Sequence, residues 1–350
     1  MSQSSKLAVD AMGGDHAPDA IIAGLDIAAE RHPRASFLIF GDEARLIPLL
    51  ASARHLAGRH ELRHCTETVT GEMKPTVALR LRDSSMRRAI DSVLAGEAQG
   101  VVSAGNTGAL LALSKIVLKT LKGIDRPAMA ATAPSAKGDV VMLDLGLNVV
   151  YDSRNLVEFA LMGMIFARIV LGLPAPSFGL LNIGSEEGKG DETLRTAAAI
   201  LRDGPFNEQF YGFVEGHDIA AGTVDVVVTD GFTGNVALKT GEGALKLVGD
   251  LLRRVFSAGP LAKMGYIFAR GALKRLKETL DPRRYNGAVL LGLNGVVVKS
   301  HGGTDALGFA HAVDVALDMV AHDFNSHIAD ALAAMDRAIL SDEPVTHSNG

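Results

Sequence analysis

The sequence predicts an α/β fold in which a mostly parallel sheet is covered by helices on both faces. Seven times along the chain, an apolar run ends at a loop rich in glycine or polar residues, and a helix-like pattern follows. The apolar runs are hydrophobic throughout, as in strands that are buried on both faces. Strands that alternate with helices indicate βαβ units, so we expect neighbouring strands to run in the same direction.

The seven steps give the order of the elements. A helix from Asp19 to Arg31 is predicted after the first strand, an apolar helix at Leu156–Leu173 after the fourth, and a helix from Asp191 after the fifth. The predicted strands cover residues 6–10, 37–40, 100–103, 140–144, 178–182, 224–228 and 295–299.

The loops that follow the strands are the strongest functional signal. Glycines let the backbone come close to a ligand, and helix N-termini offer N–H groups to an anion. Because a parallel sheet places such loops along one edge, where open α/β folds bind ligands, we expect a single working edge. Its loops would be those at Gly13, Asn106, Lys189, Asn235 and His301, whereas Gly41-Asp42 carries no functional motif. The pattern therefore predicts an enzyme that handles an anion.

Two segments depart from this rhythm. Residues 52–100 contain Asp83-Ser84, either of which would make a good helix N-cap. Residues 250–285 hold nine Lys or Arg against three acidic residues, with apolar residues at helical spacing. Gly259-Pro260 and Gly265 divide this segment, so we expect short helices in a projecting, basic, amphipathic hairpin. We expect one domain over residues 1–340, followed by a flexible polar tail at 341–350.

Composition excludes several classes of protein. The net charge of −5 argues against nucleic acid as the main partner, and the single cysteine, Cys65, excludes a CxxC pair or a disulfide framework. The polar start of the chain runs straight into a strand, so we expect no signal peptide. The apolar run at 156–173 carries Glu158 and Arg168, which favours a buried helix over a membrane span.

Familiar catalytic motifs are mostly missing. No GxGxxG follows the first strand, the run from Gly184 to Lys189 is one residue too short for a P-loop, and there is no GxSxG. Cys65 lies outside the recurring loops, so a structural role is favoured over that of a nucleophile.

A few polar residues in the loops fit anion chemistry. Lys189, between two glycines, can reach an anion in a cleft, although it could also be a solvated loop lysine. Asn235 could donate to an oxyanion or cap a helix. His16 and His301 could bind phosphate or act as acid–base groups. The aspartates that end strands (Asp10, Asp144, Asp230) have no recognisable metal-ligand spacing, so structural hydrogen bonding is favoured and no metal is expected.

At these loops the sequence resembles the bacterial acyl-carrier-protein:phosphate acyltransferase family (PlsX) over roughly residues 6–320. The matching segments are 9–15, 83–86, 102–110, 143–148, 180–190, 229–240 and 290–302. The departures are modest. Leu147, Tyr151 and Gly188 replace residues more common in the family, which leaves fine substrate preference open.

The resemblance implies a Rossmann-like three-layer αβα fold akin to phosphate acetyltransferases and isocitrate or isopropylmalate dehydrogenases. It implies reversible transfer of a fatty acyl group from acyl carrier protein to inorganic phosphate, without a cofactor. The resulting acyl phosphate would serve glycerol-3-phosphate acylation in phospholipid synthesis. Lys189 and Asn235 match the family's leading catalytic candidates, and we add His301 as a weaker proton donor. The expected substrate-binding residues are Asp10, Gly13, Gly14, Asp15, His16, Ser103, Gly105, Asn106, Thr107, Asn148, Gly184, Asp230, Gly231, Thr233 and Gly234.

The resemblance also implies a homodimer. The basic hairpin would fit an acidic carrier protein, an anionic membrane surface or the dimer interface. Its expected partner-binding residues are Arg253, Arg254, Lys263, Arg270, Lys274 and Arg275. We expect a cytoplasmic enzyme that associates peripherally with the inner face of the cell membrane, close to the membrane glycerol-3-phosphate acyltransferase. The alternatives are a dehydrogenase of the isocitrate type, which would need an acidic metal cluster, and a non-catalytic binding module.

Overall fold

The computed structural model describes residues 5–341, without the side chains of Lys277 and of residues 335–341. Its core is one sheet of eleven strands in the order β3-β2-β1-β4-β11-β10-β5-β6-β9-β7-β8. The strands are β1 (Lys6–Asp10), β2 (Ser36–Gly41), β3 (His60–His64), β4 (Gly100–Ser103), β5 (Ala128–Ser135), β6 (Gly138–Leu143), β7 (Phe178–Leu181), β8 (Phe210–Val214), β9 (Val226–Val228), β10 (Ala288–Leu291) and β11 (Val296–Lys299).

Helices connect the strands. They are α1 (Asp19–Arg31), α2 (Glu43–Ser52), α3 (Pro75–Ala78), α4 (Ser85–Leu94), α5 (Thr107–Leu118), α6 (Ser153–Val170), α7 (Glu192–Asp203), α8 (Gly216–Ala221), α9 (Gly231–Ser257), α10 (Pro260–Thr279), α11 (Ala306–Ala321) and α12 (Phe324–Ser341). A short 3-10 helix covers Pro282–Tyr285.

Alternate residues of the strands pack on opposite faces of the sheet. Leu7 and Val9 join one core with α1, α6 and α11, whereas Ala8 joins a second core with α4 and α5. On the β6 side, Val141 belongs to the first core and Met142 to a third. The sheet is therefore covered on both faces, which confirms the predicted three-layer α/β architecture.

The sheet is mostly parallel, but it consists of two parallel halves that run in opposite directions. Strands β1, β2, β3, β4 and β11 are parallel to each other, and so are β6, β7, β8 and β9. Between the halves, β10 is antiparallel to both β11 and β5, and β5 is antiparallel to β6. Three successive reversals leave the two halves antiparallel, so their carboxyl ends lie at opposite edges of the sheet.

The predicted elements agree closely with the structure in most places. Helix α1 has the predicted bounds, Ser84 is the N-cap of α4, and Asp191 is the N-cap of α7. The prediction of short helices at 250–285 is wrong. Gly265 lies inside the 20-residue α10, and α9 runs unbroken for 27 residues from Gly231. The tail predicted at 341–350 lies outside the described residues, apart from Ser341, which ends α12.

Helix α6 is a core helix, as its sequence indicates. Residues 155–167 are buried, and Glu158 is paired with Arg154 at 3.0 Å while it accepts the N–H of Asp125. Within residues 5–341, no helix combines the length and the apolar character needed to span a bilayer.

Candidate functional site

The reversal of strand direction sorts the predicted site residues into two groups. We call the loops after β1, β4 and β11 the first loop cluster (residues 11–18, 104–106 and 300–305). The loops after β6, β7 and β9 form the second loop cluster (residues 144–152, 182–191 and 229–235). Each cluster follows three adjacent strands, so the loops within a cluster are neighbours.

Asp144 organises the second loop cluster. Its buried carboxylate accepts the N–H of Met129 at 2.9 Å and that of Asn148 at 2.6 Å, with further bonds from the Asn148 side chain and the Leu147 N–H. Burial raises the pKa of Asp144, and these hydrogen bonds oppose that shift. The carboxylate thereby holds the β6–α6 loop in one conformation, which confirms the structural role predicted for this aspartate.

Helix α9 begins directly on top of this loop. The Gly231 N–H donates to the Asn148 carbonyl at 2.8 Å, and an ideal Cβ on Gly231 would lie 2.7 Å from the Asn148 nitrogen. At Gly234 a Cβ would overlap the carbonyl oxygen of Asp144. The two glycines are needed because the first turn of the helix touches the loop backbone.

The first-turn donors of α9 are already used inside the protein. Asp230 caps the helix by accepting from Phe232 at 2.9 Å and from Thr233 at 3.0 Å, and its carbonyl accepts the N–H of Gly234. Since Gly231 donates to Asn148, a ligand cannot be bound by these N–H groups without breaking an existing bond. These residues position the helix, and the substrate-binding role expected of Asp230, Gly231, Thr233 and Gly234 stays a prediction.

Asn235 and Lys189 are two polar side chains that this scaffold leaves accessible. Asn235 is half-buried next to Gly146 and is not the helix cap, because Asp230 fills that role. Lys189 is exposed, and its Cγ would lie 3.1 Å from a Cβ on Gly184. The Asn182 side chain donates to the Lys189 carbonyl at 3.1 Å and thereby ties the loop back to β7.

Tyr151 connects the three loops of the second cluster. It is half-buried in the β6–α6 loop, where burial, together with the nearby carboxylates of Asp191 and Asp230, raises its pKa to about 12. Asp191 directly follows Gly190, and Asp230 caps the helix that carries Asn235. Tyr151, which departs from the family pattern in the sequence, therefore lies between the Lys189 loop and the start of α9.

The first loop cluster is built around a second buried aspartate. The Asp10 carboxylate accepts the hydroxyl of Ser85 at 2.6 Å and that of Ser103 at 2.7 Å. Burial raises the pKa of Asp10, and both hydroxyls oppose the shift. A Cβ on Gly13 would lie 2.5 Å from the Asp10 Oδ2, and the Gly105 N–H donates to the Ser103 hydroxyl at 3.1 Å. These are the structural hydrogen bonds expected of Asp10, and its expected substrate-binding role stays a prediction.

Lys299 lies beside Asp10 and was not recognised from the sequence. Its ammonium donates to the carbonyls of Ala104, at 3.4 Å, and Ser300. Burial lowers its pKa to about 8, although the charges of Asp10 and Asp15 oppose that change. The sequence feature that could have identified Lys299 is its position at the end of an apolar strand, directly before Ser300-His301.

The remaining residues of the first cluster form its outer loops. The Asp15 N–H donates to the Gly302 carbonyl at 2.9 Å, which joins the loop of Gly13 and Gly14 to that of His301. The Asn106 side chain caps α5 through the Ala109 N–H and donates to the carbonyls of Gly71 and Met73, so its amide is occupied. Exposed side chains at the rim of this cluster are Asp15, His16, Thr107 and His301.

The expectation of one working edge is wrong for a single chain. His301 follows β11 and Lys189 follows β7, and these two strands are five positions apart in the sheet. At the usual spacing between strands, this separation is about 24 Å. The two loops also lie at opposite edges of the sheet. The structure thus places Asn148, Lys189 and Asn235 on segments that follow three adjacent strands. It places Asp10, Ser103, Asn106 and His301 in a separate group.

Cys65 is not a nucleophile candidate. It is buried next to β3, and burial raises the pKa of its thiol to about 11, so the reactive thiolate is disfavoured.

Comparison with known proteins identifies the family. The model of the family described as fatty acid synthesis protein matches residues 5–327. The phosphate acyltransferase of Acidiphilium cryptum is 71% identical over 326 residues, which cover 93% of this chain and 86% of that protein. The phosphate acyltransferase of Granulibacter bethesdensis is 63% identical over 344 residues, covering 98% of this chain and 94% of that protein.

Solved structures share the fold. A phosphotransacetylase from Streptococcus pyogenes superimposes with a TM-score of 0.61 at 17% identity, covering 90% of this chain and 94% of that protein. The EutD phosphotransacetylase from Staphylococcus aureus gives a TM-score of 0.56 at 15% identity, with coverage of 91% and 96%. These findings confirm the resemblance drawn from the loop motifs: this chain belongs to the fatty acid synthesis protein family, the PlsX family of bacterial phosphate acyltransferases, and it is an acyltransferase.

Proposed function

We propose that this chain transfers a fatty acyl group from acyl carrier protein to inorganic phosphate, reversibly, at the second loop cluster. The observation that carries the proposal is the position of Lys189 and Asn235 in the second loop cluster, whose β6–α6 loop is held by Asp144, in a chain whose relatives are named phosphate acyltransferase. The acyl phosphate would then supply glycerol-3-phosphate acylation in phospholipid synthesis.

The reaction needs no covalent enzyme intermediate. A phosphate oxygen attacks the thioester carbonyl carbon, a C–O bond forms, and the C–S bond breaks as the tetrahedral intermediate collapses. Sulfur leaves as a thiolate and takes a proton from solvent, since His301 lies at the other edge of the sheet in the same chain. The enzyme therefore has to place two substrates together and stabilise negative charge.

We assign these tasks to two side chains. The ammonium of Lys189 neutralises phosphate and the departing thiolate, which is possible because the side chain is exposed next to Gly184. The amide of Asn235 donates to the oxyanion of the tetrahedral intermediate. The positive end of the α9 dipole adds to the same field, although the first-turn N–H groups themselves are occupied.

The α9–α10 hairpin is our proposed partner surface. Its two helices are joined at Ala258-Gly259 and held by an edge-to-face contact of Phe256 with Tyr266 at 5.8 Å. Large apolar side chains such as Leu261 and Phe268 remain exposed beside the basic residues. Such a surface fits a homodimer contact, acidic acyl carrier protein, or an anionic membrane surface on the cytoplasmic side, near the membrane glycerol-3-phosphate acyltransferase.

One experiment tests the reaction. The purified protein is incubated with palmitoyl-acyl carrier protein and phosphate, and acyl phosphate is trapped with hydroxylamine as the hydroxamate. Hydroxamate that depends on both phosphate and protein supports the proposal, provided that a control without phosphate gives only the background. A protein that binds phosphate but yields no phosphate-dependent hydroxamate would instead be a binding module.

A further inference from the structure

Four large apolar side chains lie exposed on the loops of the second cluster. The exposed fractions are 63% for Val149, 73% for Val150, 81% for Ile183 and 64% for Phe232. We call these four residues the apolar rim. Val149 and Val150 follow Asn148, Ile183 begins the loop that carries Lys189, and Phe232 lies one turn before Asn235 on α9.

The four side chains of the apolar rim are grouped on adjacent loops and are not spread over the surface. Among residues 5–235, nine large apolar side chains are exposed, and the other five lie on separate elements: Ile47, Val77, Leu94, Ile116 and Tyr211. A further twelve lie on α9 and α10, between Val236 and Leu276. Single exposed apolar residues are normal on protein surfaces, but a group of them on adjacent loops marks a binding surface. The loops are adjacent because β9 pairs with both β6 and β7.

The backbone holds these side chains in place. The Val150 carbonyl accepts from Arg126 at 2.7 Å, the Ile183 N–H donates to Asn182 at 2.8 Å, and the Phe232 N–H donates to Asp230 at 2.9 Å. The rim is therefore preorganised, which lowers the entropy cost of binding an apolar ligand.

We propose that the apolar rim binds the hydrocarbon chain of the acyl donor. This rests on the proposed function, because the reacting carbonyl must lie between Lys189 and Asn235. The hydrocarbon chain starts at that carbonyl carbon, so a long chain leaves the site across the loops that carry these two residues and covers more of the rim than a short one. Phosphate and thiolate are charged and gain nothing from apolar side chains, whereas an alkyl chain is removed from water there.

The test compares donors of different chain length. Phe232→Ser and Ile183→Ser are assayed with palmitoyl- and butyryl-acyl carrier protein, with Leu94→Ser as the control because Leu94 is 61% exposed on α4, away from the rim. Each rim variant is expected to lower kcat/KM roughly tenfold for the palmitoyl donor and less than about twofold for the butyryl donor, because the longer chain covers more of the rim. The control should leave both values unchanged.

Three outcomes would overturn the assignment. Equal losses for both donors would show that the rim acts on something other than the chain. No loss would show that the chain binds elsewhere. A rim variant that sediments at a different mass from the unaltered protein would place these side chains in a subunit contact. Failure of the proposed function looks different, because the unaltered protein would then give no hydroxamate with either donor.

Discussion

Gly234 packs against the carbonyl oxygen of Asp144 so closely that a methyl group on its α-carbon would overlap the oxygen. This contact joins the first turn of α9 to the β6–α6 loop. It also fixes the height of Asn235, the next residue along the helix, above that loop.

Gly234→Ala is therefore expected to destabilise the protein by about 1–3 kcal/mol, because the added methyl group must push the helix off the loop. Activity should fall as Asn235 moves. Gly241→Ala, on the same helix with no atom near its Cβ position, is the matched control and should be neutral or stabilising by up to about 1 kcal/mol. Urea unfolding and hydroxamate assays measure both effects. Equal behaviour of the two variants would contradict this account of the contact.

Lys189→Ala is expected to lower kcat by about 10²–10³ without lowering the free energy of unfolding, because the exposed ammonium stabilises developing charge and carries no packing. Asn235→Ala should likewise lower kcat without lowering the free energy of unfolding, because the helix is capped by Asp230 and not by Asn235. Lys137→Ala, an exposed lysine in the β5–β6 turn, is the control. Near-native kcat for Lys189→Ala would remove the residue from the mechanism.

Lys299 should leave a signature in the pH dependence of stability. Its pKa is about 8 in the folded protein against 10.5 ordinarily, so between these values the unfolded chain binds more protons. Stability should therefore rise with pH across this window, by up to about 3 kcal/mol, relative to Lys299→Met, which has no proton to lose there. Urea unfolding of both proteins from pH 7.5 to 10.5 measures the difference. Parallel curves would show that Lys299 keeps its ordinary pKa.

Charge reversal on the hairpin, Arg270→Glu with Lys274→Glu, should weaken binding to an anionic partner. We expect either a KM for acyl carrier protein raised roughly tenfold at low salt or a smaller fraction bound to anionic vesicles. Lys115→Glu with Lys122→Glu makes the same change of charge in a distant part of the sequence and controls for net charge. If neither partner is affected, dimer packing is the better account of the hairpin.

The sequence predicted the fold because most strands carry the same local signal. An apolar run such as 140–143, a glycine loop and a capped helix occur within one stretch of chain, so local patterns suffice. Strands β5 and β10 lack that signal. Ala128–Ser135 turns back through a tight turn into β6, and Ala288–Leu291 does so into β11, with no helix after either strand.

The site was predicted less completely for the same reason. Loop motifs identify Lys189, Asn235 and His301, but not which edge of the sheet each loop occupies. That depends on the direction of β5 and β10, two strands that carry no functional residue. Likewise, the Gly231 N–H at the start of α9 is occupied by the Asn148 carbonyl, a contact that joins parts of the chain more than eighty residues apart.

Helix α9 connects the second loop cluster to the tip of the hairpin. It is about 40 Å long, with Gly231 and Gly234 seated on the Asp144 loop at one end and the turn into α10 at the other. Because the helix is seated at its first turn, a rotation of about five degrees there would move the far end by about 3–4 Å. The helix therefore ties the position of Asn235, near one end, to that of the hairpin tip at the other.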